Sequence, residues 1–135
     1  MDVTTPFRFP GGLDGLLGLM ITEVADGLVR AEVPIRAELL QPQGLVHGGV
    51  YAAVAETVAS TGTYLGVADE QAMVMGLSNL TSFMRPMTEG TIHADARARH
   101  RGRTTWLWEV DLLDDAARLC AASRVTIAVR RPAGG

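Results

Sequence analysis

The sequence contains no lysine and a single cysteine, Cys120, in 135 residues. One thiol excludes an intramolecular disulfide and any metal site built from several cysteines. All 12 basic residues are arginine, and against 15 acidic residues they leave a net charge of −3. That balance supplies no general attraction for nucleic acid. No Pro/Ser-rich linker, repeat or low-complexity tract divides the chain, so residues 1–135 fit one domain with one core. The opening stretch MDVTTPFRFPGG lacks the basic region and apolar core of a secretory signal. Residues 48–66 have the length of a membrane span, but Glu56 and several hydroxyls argue against lipid exposure. The expectation is a cytoplasmic protein with no membrane partner.

What is present reads as alternating strands around one apolar helix. Residues 13–18 suggest a short helix. LMITEVADG and LVRAEVPIRAE read as two strands joined by an Asp26-Gly27 hairpin turn. The second alternates Val29, Ala31, Val33 and Ile35 with Arg30, Glu32, Pro34 and Arg36, which marks a sheet with one wet face. A helix from Gly48 to about Leu65 follows, apolar on nearly every side, and such a helix is expected to be enclosed. AMVMGLSNLTSFMRP, TIHADARARHRGR, TTWLWEVDLLDD and RLCAASRVTIAVRR then read as four strands. Trp106 and Trp108 share one strand face, and Met73, Met75 and Leu77 another, as core or interface residues. The order β-β-α-β-β-β-β implies an α+β fold with one antiparallel sheet curled around a central helix. Without a crossover helix after each strand, a doubly wound parallel sheet is excluded.

Glu56 is the only formally charged side chain between Leu45 and Ala68. A carboxylate in so apolar a run needs either a partner or a purpose, because desolvating it costs several kcal/mol or more. The element order, GLVHGGV at the helix start, SFMRP on the next strand and HRGRTT further on resemble the hotdog-fold acyl-CoA thioesterases of the PaaI-like (phenylacetic-acid-degradation) type. The resemblance runs from about Leu16 to Arg130. Glutamate at position 56, with Ser60 one turn beyond, is similar to the subgroup that hydrolyses 4-hydroxybenzoyl-CoA. The resemblance implies a single hotdog domain and hydrolysis of an aryl- or medium-chain acyl-CoA to a carboxylate and coenzyme A. It implies no metal or redox cofactor, coenzyme A being part of the substrate.

Each candidate residue has a chemical role and a plainer one. His47, Gly48 and Gly49 stand where a loop becomes a helix, and the first N–H groups of a helix lack intrahelical partners. Glycine lets a ligand approach that backbone, where the Gly48 N–H would polarise a thioester carbonyl. The alternative is a tight helix entry with a packing histidine. His47 is not expected to bind metal, since His93 and His100 lie on another segment without ligand spacing. Glu56 would act as nucleophile toward the thioester carbon or as general base toward water; the plainer role is a structural carboxylate tied to a hidden partner. Ser60, at i+4, shares its helix face and would hold water or bond its own backbone. Gln41, placed by the resemblance before the HGG, would give a second donor to the thioester oxygen or remain a solvated loop residue. Arg85, Arg103, Thr104 and Thr105 fall in regions that contact coenzyme A in the family, and arginine and threonine suit its phosphates. Alternating Arg97, Arg99 and Arg101 read as the wet face of a strand.

Gly48 and Glu56 are eight residues apart, roughly 12 Å along a helix axis. Groups acting on one carbonyl must come within roughly 3–3.5 Å of it. A homodimer whose helices cross antiparallel near Ala52 would bring Gly48 of one chain to Glu56 of the other, and the family suggests a tetramer built as a dimer of dimers. Two other functions fit the residues less well: a hotdog dehydratase using His47 with Glu56 as acid and base, and a non-catalytic acyl-CoA-binding module.

Overall fold

A computed structural model of the chain describes residues 5–133. The elements run β1 (Phe7–Arg8), α1 (Gly12–Leu17), β2 (Met20–Ala25), β3 (Leu28–Pro34), α2 (Gly48–Gly66), β4 (Met73–Phe83), β5 (Thr91–Arg101), β6 (Thr105–Leu113) and β7 (Leu119–Arg130). The seven strands form one antiparallel sheet in the order β1-β2-β3-β5-β6-β7-β4. This is the architecture expected from the sequence, with the two-residue strand Phe7–Arg8 added at one edge.

Alternation decides which face of the sheet is wet. Val29, Ala31 and Val33 on β3 and Ile92, Ala94 and Ala96 on β5 are buried, facing the helix. Between them stand ion pairs such as Arg30 with Glu23 and Asp95, and Arg97 with Asp95. Gly27 turns the β2–β3 hairpin at φ 70°, a left-handed conformation that glycine adopts without strain. The expected run of alternation on β5 breaks at a bulge between Ala98 and His100.

Helix α2 is held against the sheet by the two tryptophans. Trp108 is 1% exposed, and its indole N–H donates to Thr63 Oγ1 at 2.9 Å. Thr63 donates in turn to the Ala59 carbonyl, so this buried polar pair is satisfied. The rings pack so closely on α2 that a Cβ at Gly62 would come within 2.5 Å of Trp108 Cζ2. A Cβ at Gly66 would likewise come within 2.5 Å of the Trp106 ring.

The enclosure of α2 is incomplete, and this corrects the expectation from its composition. Val50, Val54, Val58 and Ala59 are buried, but Gly49, Glu56 and Tyr64 are exposed, with Ala52, Ala53, Thr57, Ser60 and Thr61 half-buried. These positions recur every three or four residues and form one open stripe. Small apolar residues occur on every side of α2, so composition gives no indication of which side is open. Edge strand β4 flanks the stripe. Met73, Met75, Leu77, Leu80, Phe83 and Met84 on and beside it are 49–70% exposed. Of the two roles considered for Met73, Met75 and Leu77, core packing is therefore excluded within this chain. No helix among the described residues is long and apolar enough to cross a membrane.

Candidate active site

The candidate residues gather at two places along α2, its first turn and the turns that follow Glu56. At the first, the loop before α2 folds back on itself. The Gln41 N–H donates to the Leu45 carbonyl at 2.7 Å, the Gly44 N–H to the Gln41 carbonyl at 2.9 Å, and Gly44 takes φ 85°. Gln41 Oε1 accepts from the Gln43 N–H, which leaves the side-chain NH2 of Gln41 as a donor.

His47 caps the helix. Its Nδ1 accepts the Gly49 N–H at 2.8 Å, so the neutral ring carries its proton on Nε2. The Gly49 N–H is thereby occupied, and of the two glycine donors expected to reach a ligand only that of Gly48 stays without a partner among the described residues. A cavity of about 470 Å³ opens here, lined by Gln41, Gly48, Tyr51, Phe83 and Arg85 among others. The Phe83 ring lies over Gly48, where a Cβ would meet Cζ at 2.8 Å. The Tyr51 hydroxyl beneath is buried without a partner among the described residues. Burial, with Cys120 second, pushes its pKa up to about 12.

At the other end, Glu56, Thr57, Ser60, Thr61 and Tyr64 line a second cavity of about 490 Å³. Glu56 takes part in no hydrogen bond or ion pair among the described residues, so the hidden partner of its structural reading is not found in this chain. Its carboxylate rests against β4, where a Cβ at Gly76 would sit 3.4 Å from Oε2. The strand register shifts between Gly76 and Ser78 at this place, and bulges often mark functional sites. Thr63 bonds its own helix backbone, whereas no such bond is formed by Ser60. Three lining residues from the N-terminal segment, Phe7, Phe9 and Asp14, are not suggested by any sequence motif.

The remaining candidates are spread widely. Arg85 shares the Gly48 cavity. Arg103, Thr104 and Thr105 lie at the β5–β6 turn, near the far end of β7. Arg85 bonds Cys120, while Val129 bonds Thr104; the nine steps along β7 between them, at about 3.3 Å each, put roughly 30 Å between Arg85 and Thr104. One protomer does not bring them together. No cluster of three or more His, Cys, Asp or Glu side chains suited to a metal occurs among the described residues.

A family model described as the thioesterase superfamily matches residues 43–121. The chain belongs to the thioesterase superfamily. This is a hotdog-fold family of thioester hydrolases, and the matched span includes Gly48, Glu56, Ser60, Arg85 and the β5–β6 turn but leaves out Gln41 and the N-terminal segment. The putative esterase Rv1847 of Mycobacterium tuberculosis is 38% identical over 129 residues, covering 94% of this chain and 88% of that protein. Its structure superposes with a TM-score of 0.85, covering 88% of this chain and 96% of that one. The 1,4-dihydroxy-2-naphthoyl-CoA hydrolase of Escherichia coli is 31% identical over 119 residues, covering 88% of this thioesterase-superfamily chain and 87% of that protein. The Staphylococcus aureus protein SAV0944 was solved with a glutamate replaced by alanine; at 27% identity and a TM-score of 0.86, that structure covers 90% of this chain and all of its own. A second SAV0944 structure carries a glutamine replaced fifteen residues earlier, the separation of Gln41 and Glu56 here.

Proposed function

We propose that this chain is an acyl-CoA thioesterase of the PaaI-like, glutamate-using kind, with one catalytic domain and active sites shared between two copies. The observation that carries the proposal is the division of the site. The Gly48 cavity and the Glu56 cavity share no lining residue, and both border the side where edge strand β4 lies uncovered, Phe83 of β4 lining the first and Val74 the second. The occupant of that side is a second copy of the chain. Antiparallel crossing near Ala52 would seat the partner's Gly48 against Glu56 and cover the apolar side chains of β4. An exposed apolar patch beside an edge strand is a normal mark of such an interface.

In the joined site the Gly48 N–H and the Gln41 amide donate to the thioester oxygen, in the positive end of the α2 dipole. Glu56 then acts in one of two balanced ways. As nucleophile it adds to the carbonyl carbon, the C–S bond breaks, the thiolate takes a proton from water, and a second water hydrolyses the mixed anhydride. As general base it removes the proton of a water held by Ser60 while that water attacks, the same C–S bond breaks, and the departing thiolate takes that proton from Glu56. Neither route needs a metal or redox cofactor. Arg85, which lines the Gly48 cavity, would meet the phosphates of coenzyme A, and Arg103, Thr104 and Thr105 would join it only from the other protomer. His47, already committed as the helix cap, is poorly placed to be the acid–base partner of a dehydratase. The fifteen-residue spacing of glutamine and glutamate in SAV0944 and the coenzyme-A ester in the Escherichia coli relative's name support this reading. Release of free thiol from benzoyl-, phenylacetyl- and octanoyl-CoA tests it. Hydrolysis of at least one is expected, and no release from any of them or from other acyl-CoA esters would refute it.

A further inference from the structure

We infer that Asn79, on edge strand β4, is a positioning residue for Glu56, and that with Thr81 and Ser123 it ties the carboxylate's turn of α2 to the sheet. The inference rests on the thioesterase reading, with Glu56 as the reacting group, and deepens it.

The Glu56 side chain takes part in no hydrogen bond or ion pair among the described residues. Its place therefore depends on how the helix backbone is seated and on its contact with Gly76 of β4. One turn before it, the half-buried Asn79 donates from its side-chain amide to the Ala52 carbonyl at 2.9 Å. In an α-helix that carbonyl also accepts the backbone N–H four residues on, which here belongs to Glu56. Asn79 thus grips the peptide group to which the Glu56 backbone is bonded. Helix and strand are joined twice, at Ala52 with Asn79 and at Glu56 with Gly76.

Asn79 is itself held in place. Its Oδ1 accepts the Thr81 hydroxyl at 2.8 Å, and Thr81 Oγ1 lies 2.8 Å from the hydroxyl of Ser123 on β7, which is 5% exposed. The single Thr81 proton goes to Asn79, so Ser123 is the donor in the last pair. The bonds run in one direction, from Ser123 through Thr81 and Asn79 to the Ala52 carbonyl, and bonds in such a chain strengthen one another.

The bulge in β4 is what turns this chain toward the helix. Gly76 pairs with Ile127 and Ser78 with Thr126, so Leu77 is the extra residue. Side chains alternate along a strand, and without it Ser78, Leu80 and Ser82 would follow Gly76 toward α2. With it, Asn79, Thr81 and Phe83 face α2, and Leu80 is left 70% exposed. An apolar side chain between strand and helix would need no partner, whereas an amide and two hydroxyls there must all be paired. Holding the turn of Glu56 accounts for them.

The test measures kcat and KM on a hydrolysed acyl-CoA for wild type, Asn79→Leu and the triple variant Asn79→Leu/Thr81→Val/Ser123→Ala, each also combined with Glu56→Gln. Leucine is of similar size but cannot hold the carbonyl. The triple variant removes the whole chain and leaves none of its polar groups unpaired, so it serves if the single variant does not fold. Displacing a reacting group by about 1 Å can cost about a hundredfold, so kcat should fall about ten- to a hundredfold with KM within a few-fold. In the Glu56→Gln background the same changes should lower the residual rate no further, because Asn79 acts only through Glu56. A folded variant with the wild-type kcat, or one altered in KM alone, would overturn the inference. So would an equal fold loss with and without Glu56→Gln, since general loosening of the site acts on both. These outcomes remove this inference alone, whereas absence of hydrolysis from every acyl-CoA removes the thioesterase reading and this inference with it.

Discussion

Mixing two inactive variants tests the division of the site. In the proposed site, Glu56→Gln removes the attacking or proton-accepting group, and Gln41→Ala removes a donor to the thioester oxygen. Loss of one such donor costs about 10²–10³ in kcat. Within one helix, Gly48 and Glu56 are separated by eight residues, or roughly 12 Å along the axis. The Glu56 side chain leans toward the helix N-terminus and shortens that gap without closing it to the roughly 3–3.5 Å that reaction requires. If each site takes Gln41 and Gly48 from one chain and Glu56 from the other, a mixed dimer has one intact site and one doubly damaged one. Random pairing of equal amounts makes about half the dimers mixed, so activity should recover to about a quarter of wild type. The assay is thiol release after co-refolding, with mixed dimers verified by differently tagged chains. Recovery no greater than the sum of the two variants in verified mixed dimers would refute the argument, as would a fully active monomer.

Three further outcomes follow from local geometry. Gly62→Ala places a methyl 2.5 Å from Trp108 Cζ2 and 2.8 Å from Val29 Cγ2, in a core where neither can retreat freely. Overpacking of about 1–3 kcal/mol should outweigh a helix-propensity gain of up to about 1 kcal/mol, so urea denaturation should show a net loss of stability. Arg85→Ala should raise KM for acyl-CoA by about ten- to a hundredfold, the worth of a charge-assisted hydrogen bond, and affect truncated pantetheine thioesters less. Equal effects on both would remove Arg85 from the nucleotide. Asp114 accepts from the backbone N–H groups of Arg118 and Ala116 and from the Arg118 side chain, and these bonds, that of the Arg118 backbone first, hold its carboxyl below the usual range. A lowered folded-state pKa stabilises above the unfolded value and is lost as pH falls through the folded one. Thermal melts should therefore find Asp114→Asn less stable than wild type at neutral pH, with the gap closing below about pH 4.

The fold was legible because alternation and turns are local signals. Val29, Ala31 and Val33 against Arg30 and Glu32 fix both strand and face, and Asp26-Gly27 fixes the hairpin. Trp106 and Trp108, two apart on one strand, share a face, and both pack on α2. The two-residue strand Phe7–Arg8 is too short to show a period. The candidate residues were legible mainly through the HGG and the isolated Glu56. The spacing of Gly48 and Glu56 already showed that one helix cannot present both to one carbonyl; which side of α2 lies open was not legible, because it depends on where β4 pairs, and β4 joins the sheet beside β7 at its far edge. The capping role of His47 depends on a side-chain rotamer, and the Asn79–Ala52 bond joins residues 27 apart in sequence. Neither leaves a pattern in the residues themselves.

The central claim is that Glu56 performs the chemistry on a thioester, and steady-state kinetics of Glu56→Gln on a hydrolysed acyl-CoA test it most directly. Glutamine keeps the size of the side chain and its place against Gly76 but can neither attack nor take a proton. In the proposed site ground-state binding falls to Arg85 and the cavity walls, so kcat should fall by orders of magnitude while KM stays within a few-fold. A folded Glu56→Gln variant that retains most of the wild-type kcat would contradict the account.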